Sequence, residues 1–131
     1  MRERVAVARV GHLATVTAAG RPHAVPCCFA IDSETAYTAV DDVKAKSTLQ
    51  LRRLDNIRHH PEVTLLVDHY EEDWSALWWI RLDGRAHVAP AGSAEHATAA
   101  ALLAEKYEQY ASRPPPGAVI VVDIEAWRGW P

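Results

Sequence analysis

Hydrophobic and polar residues alternate with a period of two along much of the chain, a spacing typical of half-buried β-strands. Six stretches show it: HLATVT (12–17), PHAVPCCFAID (22–32), TAYTAV (35–40), EVTLLVDHY (62–70), LWWIRLDGRAHVAP (77–90) and AVIVVDIEAW (118–127). The AAGR segment between the first two predicts a hairpin turn. Gly84 interrupts the fifth stretch and predicts a bulge or bend there.

Two longer segments follow the helical period instead. In STLQLRRLDNIRHH (47–60) apolar residues recur every three positions, and the pattern stops before Pro61. EHATAAALLAEKYEQY (95–110) is the clearest helix, and a short helix is expected at the N-terminus. Six strands with few helices predict one mainly β (α+β) domain over residues 1–131. We expect a small antiparallel barrel, because closing the sheet removes its exposed edges.

Composition narrows the class of protein. The 131 residues are 49% hydrophobic, enough for one ordinary core. Fourteen Lys and Arg against 17 Asp and Glu give a net charge of -3, which argues against a protein that coats nucleic acid. No apolar run approaches the roughly 20 residues of a membrane helix, and no signal peptide is evident, so a cytoplasmic location away from membranes is predicted.

Cysteine and histidine content adds two expectations. Cys27 and Cys28 are adjacent, so an ordinary disulfide between them is not expected, which fits a reducing compartment. The seven histidines are scattered without ligand spacing, and no metal site is predicted.

Lys44 and Lys46 stand immediately before the predicted helix. Ser47 followed by Gln50 forms a capping box, which predicts that the helix begins at Ser47. The first N–H groups carry the positive end of the helix dipole, so nearby lysines are unfavourable unless an anion joins them. The pattern fits a phosphate site, and it fits equally two solvated lysines neutralised by the preceding aspartates.

Five tryptophans are many for a core of this size: Trp74, Trp78, Trp79, Trp127 and Trp130. Trp78 and Trp79 are neighbours in a predicted strand and must point to opposite faces. One can fill the interior, which leaves the other for a subunit interface or for the flat ring of a ligand. Packing in the core or at an interface explains any single tryptophan equally well.

The order PHAVPCCFAID, TAYTAV, KAKSTLQLRRLDNIRHHPEVTLLVD, WWIRLDGRAHV resembles the split β-barrel flavoprotein family. This family includes the pyridoxamine 5'-phosphate oxidases and the deazaflavin (coenzyme F420)-dependent oxidoreductases. The resemblance covers nearly the whole chain and implies a six-stranded antiparallel split β-barrel with flanking helices, the FMN-binding split barrel. DHYEEDWSALWWIRLDG and the terminal WRGW look closest to the F420-binding branch.

The resemblance implies a homodimer with two cofactor sites at the subunit interface. Carried over by position, Lys46 matches the phosphate lysine of the family, with Lys44, Ser47 and Thr48 as its neighbours. Residues expected to line or contact the cofactor ring are Pro26, Cys28, Thr38, Trp79 and Trp127. The last of these lies in a C-terminal segment that could cross to the partner's site.

One departure from the family bears on function. The pyridoxamine phosphate oxidases carry an arginine on the strand that here reads AVPCC, and its absence argues against vitamin B6 oxidation. The resemblance therefore implies an F420-dependent oxidoreductase that transfers hydride from reduced deazaflavin to an electron-poor small molecule. The cofactor carries the chemistry, so no catalytic residue is named, although His23 and Tyr37 are candidate proton donors. The alternatives are an FMN-dependent oxidoreductase and a non-catalytic protein that binds F420, FMN or haem.

Overall fold

A computed structural model describes residues 1–40 and 48–130 of the chain, with side chains given from residue 52 onward in the second range. The helices are α1 (Arg2–Val7), α2 (Thr48–His59), α3 (Ala94–Lys106) and α4 (Glu108–Ser112), with a 3-10 turn at Trp74–Ala76. The strands are β1 (Gly11–Val16), β2 (Pro22–Cys27), β3 (Ala30–Asp32), β4 (Thr35–Ala39), β5 (Glu62–His69), β6 (Trp78–Ala89) and β7 (Val119–Trp130).

All strand pairs in the described residues are antiparallel, and the sheet runs in the order β2-β1-β5-β6-β7-β4-β3. Its two outermost strands, β2 and β3, are consecutive in the chain and are joined only by Cys28 and Phe29. The two ends of the sheet therefore meet at these residues, which we call the seam, and the sheet curls into a split β-barrel. The predicted fold is confirmed, but the described residues form seven strands rather than six. The expected single strand over 22–32 was wrong because the chain breaks at the seam.

In an unbroken strand, the main-chain groups of Cys28 and Phe29 would bond to the main chain of a neighbouring strand. At the seam, they bond to side chains instead. The Phe29 N–H donates to the Tyr107 hydroxyl (3.2 Å), and that hydroxyl donates to the Arg9 carbonyl (2.9 Å). Lys106 Nζ donates to the Phe29 carbonyl at 2.9 Å. Thr38 Oγ1 donates to the Cys28 carbonyl at 2.7 Å. Three half-buried main-chain groups, at Cys28 and Phe29, and one exposed group, at Arg9, are satisfied in this way.

The bulge expected at Gly84 is present. β6 and β7 pair along almost their whole length, and their register shifts between Asp83 and Gly84. A Cβ atom at Gly84 would lie 2.2 Å from the main-chain oxygen of Asp123, so only glycine allows this close approach.

One helix boundary differs clearly from expectation. α2 begins at Thr48 and ends at His59, close to the predicted limits, while the expected cap Ser47 lies outside the described residues. α3 ends at Lys106 rather than at residue 110. The reason is Tyr107, whose extended backbone (φ -120°, ψ 122°) breaks the helix and whose hydroxyl bonds to the seam before α4 begins.

Two apolar clusters lie on opposite faces of the sheet. The barrel interior is filled by large side chains such as Leu13, Phe29, Leu65 and Leu82, and α2 covers it with Leu54 and Ile57. The outer cluster packs α3 against the sheet through Ala99, Leu103, Val119 and Val121. No helix in the described part of the chain is long and apolar enough to cross a membrane.

Candidate functional site

Two cavities share Cys28 and Tyr110 in their walls. The smaller, of about 220 Å³, also has Pro26 and Arg53 in its wall. The larger, of about 320 Å³, is bounded by Val40, Tyr107 and the prolines at 114–116. Its size is at the lower end of the range for small-molecule sites. The seam is therefore the part of the fold where residues from both ends of the sheet converge on enclosed space.

Arg53 brings a positive charge to the smaller cavity, and no described residue forms an ion pair with it. This α2 residue is only 9% exposed, and its Nε atom has no hydrogen-bond partner. A buried guanidinium N–H without a partner among the described residues is costly, and an anionic ligand would remove the cost through a charge-assisted hydrogen bond. The residues present thus fit a ligand that carries a phosphate or carboxylate.

Lys106 and Arg9 place more positive charge on the other side of the seam. Lys106 Nζ lies 3.9 Å from the Phe29 ring centroid, and Arg9 Nη1 donates to the Lys106 carbonyl at 2.6 Å. Burial, and then the charge of Arg9, lower the pKa of Lys106 to about 8. Burial also raises the pKa of Tyr107 to about 12. Arg9, Lys106 and Tyr107 line a third, more open groove together with the exposed Glu108. Glu108 lies beyond ion-pair distance of both cations.

The predicted phosphate residues have different outcomes. Lys44, Lys46 and Ser47 lie outside the described residues. Thr48 opens α2, and only its backbone is described. The phosphate role of this segment stays a prediction.

Three of the predicted ring residues come together at the seam. Pro26 is exposed in β2, Cys28 follows the end of that strand, and Thr38 lies in β4. Pro26 and Cys28 share a cavity wall. Thr38 is 3% exposed, and its hydroxyl is used by the Cys28 carbonyl. Thr38 therefore positions the seam, while Pro26 and Cys28 line the smaller cavity.

The two predicted tryptophans lie elsewhere in the chain. Trp79 pairs with Trp130 across β6 and β7, on the face opposite Trp78, which packs against the interior as expected. The Trp127 indole donates to Glu34 at 2.9 Å, and the Arg2 guanidinium stacks 4.3 Å from its ring centroid. Neither Trp79 nor Trp127 lines the cavities that described residues form at the seam.

The Trp127 contacts also affect a carboxylate. The indole hydrogen bond, and then Arg2, hold the pKa of Glu34 below its ordinary value. Trp127 is thus occupied by partners in its own chain, and its contribution to a partner's site stays a prediction.

Sequence reasoning missed Arg53, Lys106 and Tyr107. A signal for the two cations was available, because each falls on the buried face of an apolar helix. Arg53 lies four residues before buried Ile57, and Lys106 lies three residues after buried Leu103. A charged residue at such a spacing is seldom buried without a partner or a ligand.

The candidate proton donors are remote from these cavities. His23 is half-buried in β2, and its Nδ1 has no hydrogen-bond partner. Tyr37 packs beneath α3, where burial raises the pKa of its hydroxyl. Neither lines the seam cavities formed by described residues. The described residues also contain no group of three or more His, Cys, Asp or Glu that could hold a metal ion.

The chain is a split barrel with cationic residues beside its seam cavities, and the sequence comparison identifies its family. Residues 1–131 match the pyridoxamine 5'-phosphate oxidase family, and the chain belongs to it. A sequence search finds no curated protein that matches the chain.

Solved structures share the fold at low sequence identity. The heme storage protein HutZ from Vibrio cholerae has a TM-score of 0.75 and 18% identity, covering 98% of this chain and 89% of its own. A protein named F420 reductase has a TM-score of 0.69 and 22% identity, covering 97% and 94%. An FAD-binding protein from Mesorhizobium loti has a TM-score of 0.69 and 20% identity, covering 98% and 87%. The shared architecture thus serves proteins named for deazaflavin, flavin and haem.

Proposed function

We propose that this chain is an F420-dependent oxidoreductase that transfers hydride from reduced deazaflavin to an electron-poor small molecule. Membership of the pyridoxamine 5'-phosphate oxidase family supports a flavin-type cofactor. The observation that carries the proposal is Arg53, a buried guanidinium with an unpartnered Nε in a cavity wall shared with Cys28. An anionic group of the cofactor would supply the missing partner.

F420 is favoured over FMN by the motifs rather than by the cavity. The segment DHYEEDWSALWWIRLDG resembles the F420 branch, and the strand AVPCC lacks the arginine that the vitamin B6 oxidases use for the FMN phosphate. Lys46 is the proposed phosphate lysine, with Lys44, Ser47 and Thr48 beside it. Arg53 adds a further cation seven residues along the chain from Lys46.

The chain's own residues bind and orient rather than exchange protons. When bound, the deazaflavin supplies the hydride. Arg53 would neutralise the anionic group, and Pro26 and Cys28 would border the ring. Tyr107, Tyr110 and the prolines at 114–116 wall the larger cavity, where they would exclude water from an apolar substrate.

We also propose a homodimer, because large apolar side chains remain exposed on the single chain. Trp74 is 75% exposed, Tyr70 70% and Trp130 53%. Aromatic residues are enriched where subunits meet. A partner subunit could cover these side chains and bring Trp79 or Trp127 to the other site.

The test is a titration of cofactor-free protein with F420 and, separately, with FMN. We expect F420 to bind more tightly, and reduced F420 to be oxidised when enones or quinones are added. Arg53→Met should weaken binding roughly 10- to 100-fold, the equivalent of one charge-assisted hydrogen bond. Arg58→Met is the matched control, because Arg58 is exposed on the same helix. Binding of neither cofactor, or equal affinity in Arg53→Met and wild type, would refute the proposal.

A second candidate is a non-catalytic binder, which the fold likeness to a heme storage protein makes worth testing. Haem usually needs an axial ligand such as His, Cys or Tyr. Among the described residues the seam cavities contain no His, and Cys28, Tyr107 and Tyr110 are the side chains of suitable type. A Soret band that shifts in Cys28→Ser would favour this candidate, and turnover of reduced F420 would exclude it as the main function.

A further inference from the structure

Two adjacent cysteines meet different surroundings at the seam. Cys27 is 8% exposed in the barrel interior, and burial raises the pKa of its thiol. Cys28 is half-buried and lines both seam cavities. Neither forms a disulfide. One chain thus offers a cavity-lining thiol and, one residue away, a buried thiol as its internal control.

Positive charge surrounds Cys28. Arg53 lies in the wall of the same cavity, 9% exposed and with its Nε unpartnered. Lys106 is close enough that an ionised Cys28 raises the pKa of the lysine. The attraction acts both ways, so the ammonium group also stabilises the thiolate, which is the reactive form of cysteine. A thiol in this setting suits a reagent that carries negative charge.

We propose that Cys28 is a thiolation site for anionic low-molecular-weight thiols, with Arg53 receiving a carboxylate of the adduct. The Cys28 thiol releases its proton to solvent, and the thiolate attacks one sulfur of a small disulfide. A new S–S bond forms as the old one breaks, and the other half leaves as a thiolate. Cys28 is oxidised and the departing sulfur is reduced. The adduct fills a cavity that, under the proposed function, takes the cofactor.

A charge series of disulfides tests the proposal in the wild-type protein. Oxidised glutathione is anionic, bis(2-hydroxyethyl) disulfide is neutral and cystamine is cationic. Rates of adduct formation are followed by intact mass spectrometry, and each is divided by the rate for the urea-unfolded chain. We expect the normalised rate for oxidised glutathione to exceed that for cystamine by at least about tenfold at low ionic strength. Added salt should reduce this ratio, because it screens the cations.

Variants assign the reaction to its residues. Cys28→Ser should abolish the fast adduct, and Cys27→Ser should retain it. Arg53→Met should reduce the preference for oxidised glutathione several-fold, while the exposed-site control Arg58→Met keeps it. The proposal would be overturned if both cysteines reacted equally or if cystamine reacted faster than oxidised glutathione. It would also be overturned if Arg53→Met preferred oxidised glutathione as strongly as wild type does.

The outcome is separable from that of the cofactor titration. A protein that binds neither F420 nor FMN yet is thiolated selectively at Cys28 would refute the proposed function and support this site. A protein that binds F420 but shows no charge preference would do the reverse.

Discussion

The sheet bends at the seam and at the β6–β7 bulge, and the two bends are built in opposite ways. At the bulge, the main chains of Gly84 and Asp123 approach so closely that a Cβ atom has no room. At the seam, main-chain groups of Cys28 and Phe29 bond to side chains of Thr38, Lys106 and Tyr107. The bulge excludes side chains, whereas the seam depends on them.

This difference has a functional consequence. The bend at the bulge comes from close main-chain contact between Gly84 and Asp123 rather than from side-chain hydrogen bonds. A bend held by side chains can respond to pH, and the groups that hold it can also border a ligand. Within the described residues, Cys28 and Tyr107 combine these roles, because both take part in the seam and both line the larger cavity.

The largest effect is expected from Gly84→Ala. Its Cβ would meet the Asp123 main chain at 2.2 Å, so we expect a loss of about 4 kcal/mol or more in unfolding free energy, or failure to fold. Urea denaturation measures it. Gly117→Ala is the control, since nothing lies within 4 Å of a Cβ there, and it should change stability by less than about 0.5 kcal/mol. A similarly small effect at Gly84 would contradict the observed register.

Tyr107→Phe should have the next largest effect. The variant removes the hydroxyl that accepts from the Phe29 N–H and donates to the exposed Arg9 carbonyl, leaving the half-buried Phe29 N–H unpaired. We expect a loss of about 1 to 3 kcal/mol in unfolding free energy. Tyr70→Phe, at a position 70% exposed, should be nearly neutral. Equal effects of the two variants would show that the seam does not need the Tyr107 hydroxyl.

Lys106→Met should reveal how the Lys106 ammonium group makes the unfolding free energy depend on pH. The folded pKa of about 8 lies below the ordinary value of 10.5, so between these values the unfolded chain binds more protons. Lys106 therefore weakens the fold below pH 8, and this penalty disappears as pH rises toward 10.5. The variant lacks this penalty, so its unfolding free energy should exceed that of wild type by about 1 kcal/mol less at pH 10.5 than at pH 8. The change is this small because water partly screens the half-exposed group.

Subtracting the two stability curves isolates Lys106 from its neighbours. The raised pKa values of Cys27 and Tyr107 act in the opposite direction, since each group loses stability as pH rises above its ordinary value. Burial, the largest cause of both shifts, is common to both proteins, whereas the smaller electrostatic effect of Lys106 on the Cys27 pKa is lost in the variant. A stability difference that stays constant from pH 8 to 10.5 would be inconsistent with a desolvated ammonium group at the seam.

The smallest effect on stability is expected from Trp74→Ser, outside both bends. Trp74 is 75% exposed, so the unfolding free energy of the single chain should change by less than about 0.5 kcal/mol. Sedimentation should instead show weaker dimerisation, if Trp74 belongs to the proposed subunit interface. Unchanged dimerisation would assign the interface to other residues.

The elements that local sequence controls were predictable. Gly84 within a strand predicted the bulge, because glycine there often marks a close main-chain approach, and the spacing before Pro61 predicted α2 from contacts between near neighbours. The break at the seam was not predictable in this way. PHAVPCCFAID alternates without a turn signal at Cys28 and Phe29, and the groups that interrupt it come from Lys106 and Tyr107, more than 70 residues away.

The residues of the candidate site also fall into a group that was predictable from sequence and a group that was not. Pro26 and Cys28 were predicted from the family resemblance, and both line the smaller cavity. Arg53 was missed because an arginine in a helix usually reaches solvent, and its spacing from buried Ile57 was not weighed against that expectation. Trp79 was assigned to the ring from its strand position, yet within the described chain the sheet carries it away from the seam.

The break between β2 and β3 also bears on aggregation. Splitting one strand into two leaves two sheet edges, and an unprotected edge can recruit strands from other molecules. Both edges carry features that hinder such pairing: β2 contains Pro22 and Pro26, which have no N–H to donate, and β3 is only three residues long. Pro26 therefore has a reason to be proline that is independent of any ligand, since a residue with an N–H there would offer a new hydrogen-bond donor to passing chains.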